Sequence, residues 1–211
     1  MSDLLVLGGT GAVGRAVLRQ ALADSGITRV IAPTRRPLDP DPGLENPVVD
    51  FDSLDGTETF WKVGAVICAI GTTQKLAGGR EGFRCIDRDL VLRLAGFARA
   101  SGVANFAYVS SVGASLASPS FYLRTKGEVE TGLGALGFRS LTILRPSMID
   151  AGRREVARPG EEIGASVMRL AGPLLPRRYR PVTPDAIARR LLAAALDGPP
   201  GVSVIQSEEI V

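Results

Sequence analysis

Tyr122 and Lys126 stand at i and i+4, the spacing that sets two side chains on one face of a helix. Such a pair can move a proton. A phenol with an ordinary pKa of about 10 is a poor acid at neutral pH, but a neighbouring ammonium stabilises the phenolate and makes the phenol a usable donor. Upstream, Ser110-Ser111 closes an apolar run, and Tyr122 follows Ser111 by eleven residues. A serine there could hold the oxygen that takes the proton. Ser111, Tyr122 and Lys126 are therefore the candidate catalytic set, with Ser110 an open alternative to Ser111. The set suits interconversion of a carbonyl and an alcohol. The chain has no histidine, which removes Ser-His-Asp and Cys-His mechanisms and most zinc sites. Its two cysteines, Cys68 and Cys85, make neither a disulfide framework nor a metal site, and no metal is expected.

The N-terminus offers a place for a hydride carrier. Gly8-Gly9-Thr10-Gly11-Ala12-Val13-Gly14 joins an apolar strand to an amphipathic helix, with Gly8, Gly11 and Gly14 in GxxGxxG spacing. Glycine permits the tight turn and the close approach of a pyrophosphate, and the helix N-terminus supplies N–H groups and the positive end of its dipole. Gly8, Thr10, Gly11, Ala12, Val13 and Gly14 are candidate cofactor-binding residues. An acid at the end of the second strand would take a ribose 2′-hydroxyl and select NAD. The sequence has Thr34-Arg35-Arg36 there instead. Two guanidiniums suit a 2′-phosphate, so Arg35 and Arg36 point to NADP (NADPH) in preference to NAD. Asp52 is placed either to reach the adenine amine or to cap a strand end. Gly71, Thr72 and Thr73 close the fourth strand at the edge where ligands lie, and Lys126 can hold the nicotinamide ribose as well as serve the phenol.

Positioning these groups requires a frame. Strands are expected at Leu4–Leu7, Thr28–Ala32, Pro47–Phe51, Ala65–Ile70, Asn105–Val109, Leu141–Leu144 and Val202–Gln206. Helices are expected over Val13–Ala23, Asp55–Lys62, Phe83–Ala100 and Tyr122–Leu136, and from the start signal Thr183-Pro184-Asp185 to Leu196. The proline-rich stretch Leu38–Pro47 reads as loop. Gly127, Gly132 and Gly134 each cost on the order of 1 kcal/mol relative to Ala, so tertiary packing must hold that helix or it ends early. The alternation predicts an α/β, Rossmann-type doubly wound parallel sheet. It forms a single NAD(P)-binding domain over residues 1–211, with a small substrate-side segment at about 147–182.

Composition narrows the function further. The chain has 211 residues, 45% hydrophobic and 22% charged, with a formal net charge of +3. With aromatics at 5% there is no obvious base-stacking surface, and nucleic acid is not an expected partner. No apolar run is long enough to span a membrane, and Met1-Ser2-Asp3 lacks the basic flank of a signal peptide. A cytoplasmic protein with a small-molecule substrate is expected, and homo-oligomerisation is left open. Cys68 reads as a core thiol. Asp87 and Asp89, beside arginines on a helix, read as salt-bridged surface, the alternative being that Asp87 faces the site. Arg153, Arg154, Arg158, Arg169, Arg177, Arg178 and Arg180 could bind an anionic substrate or acidic partner. The preferred reading is a solvated face balanced by Glu155, Glu161 and Glu162.

Several stretches together resemble the atypical short-chain dehydrogenase/reductases. They are similar above all to the Tat-interacting-protein (CC3) group of NADPH-binding oxidoreductase-like proteins. They are Val49-Asp50-Phe51-Asp52, Gly71-Thr72-Thr73, Gly82-Phe83 with Asp87-Arg88-Asp89, Tyr122-Leu123 with Lys126-Gly127-Glu128-Val129-Glu130, and Arg145-Pro146. The similarity runs from the glycine loop to about Pro184. It implies a Rossmann fold binding NADP(H), Ser, Tyr and Lys near the nicotinamide, and Pro146, Ser147 and Met148 touching the nicotinamide end. Three functions compete: an NADPH-dependent reductase or dehydrogenase, an NADP-binding regulatory or redox-sensing module with little turnover, and a cofactor-retaining epimerase or dehydratase. The intact Tyr-Lys pair favours the first over the second, and the short C-terminal portion disfavours the third.

Overall fold

Four consecutive apolar residues, Leu4–Leu7, can all be buried only in a strand covered on both faces, and each is 0% exposed. The computed structural model, which describes residues 2–150 and 176–210, places them in β1 (Ser2–Leu7) at the middle of the sheet. There follow α1 (Ala12–Leu22), β2 (Ile27–Ile31), β3 (Leu44–Glu45) and β4 (Ala65–Cys68). A long helical run comes next, made of α2 (Arg80–Arg84), a π-helical turn (Cys85–Leu90) and α3 (Val91–Ala100). The rest comprises β5 (Asn105–Val109), α4 (Phe121–Ala135), β6 (Ser140–Arg145), α5 (Pro184–Asp197) and β7 (Gly201–Gln206). The strand order is β3-β2-β1-β4-β5-β6-β7 and every pairing is parallel. This is the expected doubly wound Rossmann sheet. The order in which strands are added reverses between β1 and β4, the crevice where ligands bind in such sheets.

Side-chain alternation divides the core. Leu4, Val6, Ala65, Ile67, Ala107 and Val109 pack under α1 and α5. Leu5, Leu7, Val66, Cys68, Phe106 and Tyr108 pack under α3 and α4. Thr183 caps α5 as its start signal implies, its hydroxyl accepting from the Ala186 N–H at 3.2 Å. The glycines of α4 do not end it early. A Cβ on Gly127 would lie 2.5 Å from the Ser115 backbone, and one on Gly132 would lie 2.7 Å from Leu92. At these two positions glycine lets neighbouring chain press against the helix, and that packing offsets the propensity cost.

Two elements differ from expectation. In place of a third strand at Pro47–Phe51, the ladder forms at Leu44–Glu45, within the expected loop, and continues only as an isolated bridge between Thr34 and Val48. The Asn46 side chain interrupts it, donating to the Ala32 carbonyl and the Thr34 hydroxyl while accepting from the Leu38 N–H. Phe51–Ser53 is a 3₁₀ turn. The helix expected over Asp55–Lys62 is reduced to a 3₁₀ turn at Thr59–Trp61. Here the Glu58 carboxylate takes the N–H groups of Asp55 and Gly56 and the Trp61 indole, and the Asp55 carboxylate takes the Thr57 N–H and hydroxyl, so side chains outcompete a helical ladder.

Within the glycine loop the three glycines differ in what they permit. Gly8 has φ +89° and sits where a Cβ would be 2.7 Å from the backbone of Ala69 and Ile70. A Cβ on Gly14 would be 2.1 Å from the Gly8 carbonyl oxygen, against backbone that has no flexible end. At Gly11 a Cβ would meet only that oxygen, at 3.5 Å. Gly14→Ala is expected to destabilise the fold by about 1–3 kcal/mol, worth roughly 2–4 °C of Tm per kcal/mol in a chain of this size. Gly11→Ser, which places a good capping residue at the N-cap of α1, should leave Tm essentially unchanged. Thermal unfolding by circular dichroism reads both, and a parental Tm for Gly14→Ala would refute this account of the loop.

Candidate functional site

A cleft of about 910 Å³ opens over the β1–β4 reversal. Its wall holds Gly8, Thr10, Gly11, Arg35, Arg36, Asp52, Gly71 and Thr72, so eight of the residues singled out for a cofactor meet in one concavity. Eight others stand off the wall, Lys126, Pro146, Ser147 and Met148 among them. Ala12 is exposed in the first turn of α1, Val13 and Gly14 are buried behind the loop, and exposed Thr73 turns its hydroxyl to the Leu76 N–H. Arg35 and Arg36 are exposed at the cleft, on a turn held by the Thr34 hydroxyl donating to the Arg36 carbonyl at 2.6 Å. Capping falls to Asp50, whose carboxylate accepts from the Asp52 N–H. Asp52 is left 92% exposed, 3.6 Å from Arg93. Cys85, Ile86, Asp89, Leu90 and Arg93 complete this side of the wall. Sequence reasoning missed them because only the turn of the helical run toward the cleft brings them there. The cleft suits the adenosine and phosphate portion of a dinucleotide: a loop open at Gly11 for a phosphate group, and two guanidiniums for a further phosphate.

Beyond the cleft wall lies the Tyr-Lys pair. Lys126 is 3% exposed, in the interior behind α4. Its Nζ lies 3.0 Å from Asp87 Oδ1 and donates to the Tyr108 hydroxyl at 3.0 Å. Asp87 is 1% exposed, and its other oxygen accepts from the Thr72 N–H at 2.8 Å. The preferred surface reading of Asp87 is therefore wrong, whereas Asp89 is exposed and paired with Arg88. The π-helical turn accounts for the difference: its wider winding brings Asp87 inward. Burial alone would lower the lysine pKa, but the Tyr108 and Asp87 oxygens outweigh it and hold Lys126 charged. Burial raises the Asp87 carboxyl above the usual range, while Lys126 and the Thr72 N–H draw it back. Cys68, paired in register with Tyr108, is pushed up to about 12 by burial, as fits a core thiol. Tyr122 packs its ring 5.6 Å from that of Phe83 and acts electrostatically on Lys126. Tyr108 was missed by sequence reasoning. A tyrosine inside an apolar strand was the available signal, because a buried hydroxyl needs a partner.

The two serines separate. Ser110 is 4% exposed and donates to the Glu130 carboxylate at 2.5 Å. Glu130, one turn beyond Lys126, also receives both Nε and Nη2 of Arg145. Ser110 thus belongs to a polar knot joining β5, α4 and β6. Among the described residues, the Ser111 hydroxyl makes one long contact, 3.5 Å, to the Val112 carbonyl. After β6, Pro146 is buried and its carbonyl accepts from the Val112 N–H at 2.9 Å. The Ser147 hydroxyl donates to the Arg180 carbonyl, and Met148 is 37% exposed. A bridge between Ile149 and Val182 ties the start of the substrate-side segment to its end. Arg177 and Arg178 are exposed on a 3₁₀ turn. Arg153, Arg154, Arg158 and Arg169 lie outside the described residues.

Residues 8–170 match a family model described as NAD(P)H-binding. The chain is 33% identical to the mitochondrial protein fmp52 of Aspergillus fumigatus over 95% of its own length and 92% of that protein's. It is 36% identical to HTATIP2 of Rattus norvegicus over 75% of this chain and 67% of the relative. Among solved structures, the UDP-Glc/GlcNAc 4-epimerase of Campylobacter jejuni superposes with a TM-score of 0.74 at 15% identity, covering 100% of this chain and 82% of that one. MoeE5 in complex with UDP-glucose and NAD gives 0.72 at 20%, covering 99% and 79%. The structures share the fold; the sequence relatives and the family model go further. Among the described residues no helix is long and apolar enough to cross a membrane. The chain belongs to the NAD(P)H-binding family, as an atypical short-chain dehydrogenase/reductase-like protein of the group that includes HTATIP2 and Fmp52.

Proposed function

We propose that this chain is an NADPH-dependent oxidoreductase that interconverts a carbonyl and an alcohol. The observation that carries this reading is Lys126, held charged one helical turn from Tyr122. Cofactor binding alone has no need of a phenol at that place; proton transfer does. In this reading the glycine loop holds the pyrophosphate, Arg35 and Arg36 the 2′-phosphate, and Asp52 the adenine amine. Lys126 holds the nicotinamide ribose, with Gly71, Thr72, Thr73, Pro146, Ser147 and Met148 around the nicotinamide end. When bound, the reduced nicotinamide supplies the hydride. The Ser111 hydroxyl hydrogen-bonds the substrate oxygen, the Tyr122 phenol gives it a proton, and the Lys126 charge stabilises the phenolate left behind. Free Cys68 and Cys85 suit the reducing cytoplasm proposed for it. One observation favours a second reading, a regulatory NADP-binding module: Lys126 lies off the cleft wall, with two partners inside the protein.

Calorimetric titration should show NADPH binding more tightly than NADH. Replacing Arg35 and Arg36 together by Ala should weaken NADPH by about 1–3 kcal/mol, the scale of lost charge-assisted hydrogen bonds, and leave NADH nearly unchanged. Equal affinities in the parent would overturn the NADP assignment. Gly11→Val, whose side chain would stand on the pyrophosphate path, should abolish NADPH binding in a protein that still melts cooperatively; parental affinity would displace the phosphates from this loop.

NADPH oxidation followed across a carbonyl panel tests the mechanism. Tyr122→Phe should lower turnover by about 10²–10⁴ with cofactor affinity preserved, the usual effect of losing a general acid. Ser111→Ala should lower turnover in a stable protein, whereas Ser110→Ala should act mainly on Tm. Unchanged turnover in Tyr122→Phe removes the phenol from the mechanism. NADPH bound but left unreacted by the whole panel, with protein side chains filling the space above the nicotinamide in a cofactor-bound structure, selects the regulatory module.

A further inference from the structure

We propose that Asp87 and Tyr108 are positioning residues for Lys126, a buried carboxylate that pairs with its ammonium and a phenol that accepts one of its N–H donors, with donor capacity left for a ligand. The proposal deepens the function read above and rests on it for the ligand's identity, a ribose hydroxyl of the nicotinamide cofactor.

The geometry is closed on the protein side. Asp87 Oδ1 and the Tyr108 hydroxyl both lie 3.0 Å from Nζ, and all three residues are at most 3% exposed. An ammonium has three donors and no acceptor; Tyr108 takes one as a hydrogen bond and Asp87 Oδ1 faces it as an ion-pair partner, so donor capacity remains. Four titratable groups face or act on the ammonium: Asp87 from the π turn, Tyr108 from β5, Cys68 from β4 and Tyr122 from α4 itself. Cys68 is neutral at physiological pH because burial raises it, and burial raises the Tyr108 phenol likewise. The Asp87 carboxylate is then the charge that offsets the ammonium. Buried ion pairs owe little net stability to their attraction, but one partner left alone is strongly disfavoured. A buried lysine without a counter-charge gives up its proton, at pKa values several units below normal. Asp87 also accepts from the Thr72 N–H on the cleft wall, so the same carboxylate sets Lys126 relative to the loop after β4. Lys126 in this arrangement is a fixed charge and not a proton shuttle.

The chain contains three lysines, Lys62, Lys75 and Lys126, so the charge can be read directly. In protein labelled with ¹³C-lysine, the Cε resonance lost in Lys126→Met identifies Lys126 without any cofactor. In the parent it should stay that of an ammonium to above pH 10. In Asp87→Asn, which keeps the shape and an acceptor for Thr72, its inflection should fall by two pH units or more. NADPH affinity by calorimetry should be flat from pH 6 to 9 in the parent. In Asp87→Asn it should fall, approaching tenfold per pH unit above the new inflection, because only the charged lysine holds the ribose. Tyr108→Phe should weaken NADPH several-fold while Lys126 stays charged. A parental lysine titration in folded Asp87→Asn overturns the proposal. A moved lysine titration with pH-independent NADPH affinity leaves the charge assignment standing and removes Lys126 from the cofactor site, which is the failure of the functional reading. Should Asp87→Asn not fold, the double variant Asp87→Asn/Lys126→Met, lacking both charges, should regain a cooperative melt; a double variant no more stable than the single one also overturns the proposal.

Discussion

A lysine ammonium at 3% exposure must be met by opposite charge, and meeting it draws together elements from across the molecule. Asp87 has to come inward, which the π turn between α2 and α3 accomplishes. The carboxylate then reaches the Thr72 N–H and so anchors the loop after β4. Tyr108 has to face the same side of the sheet, which the alternation of β5 ensures, and Cys68 stands beside it in register. Helix α4 has to approach closely enough to deliver Lys126, and Gly127 and Gly132 leave the room for that approach. The ion pairs of Glu128 with Arg84 and Arg88 fasten α4 to the same helical run from outside. Being partly exposed, they add little stability of their own.

A second polar knot does comparable work one turn further along α4. Glu130 is nearly buried and takes the Ser110 hydroxyl and the Arg145 guanidinium, so its charge is neutralised where β5, α4 and β6 converge. Ser110 is thereby part of the knot, whereas the Ser111 hydroxyl turns to the Val112 carbonyl. Tyr122, Lys126 and Glu130 form a series at four-residue spacing, in which the first packs its ring against Phe83, the second is a buried charge, and the third holds Ser110 and Arg145. The family resemblance marked all three as a block; only their partners distinguish the roles.

Much of this is legible in the order of the amino acids. Strand β5 falls at Asn105–Val109 as expected, the first three glycines and the arginine pair line one cleft, and Thr183 caps its helix, because each depends on neighbours close in sequence. What escapes such a reading depends on side chains overriding the backbone: Asn46 breaking the β3 ladder, and Glu58 and Asp55 dissolving a short helix. The inward turn of Asp87 is harder still. Asp87-Arg88-Asp89 offers two equivalent acids to a helical wheel, and a single widened turn, invisible to a period of 3.6, decides which one is buried. Glu130, which accepts from Ser110, and Arg145, which donates to Glu130, lie 20 and 35 residues from that serine in sequence.

The π turn carries one implication for how this fold can change. A π turn is an α-helix holding one residue more than its hydrogen-bond ladder needs, so in genetic terms it is equivalent to a single inserted codon. Losing one codon within Cys85–Leu90 would let the ladder close while Phe83 before it and Val91 after it kept their places in the core. The fold and the buried carboxylate are thus separable: a lineage could discard the charge beneath Lys126 through one in-frame deletion, with the remainder of the helix undisturbed. Where such a deletion arose, a lysine at this position would either retire to the surface or be replaced. A chain that keeps both the extra residue and the lysine keeps them together.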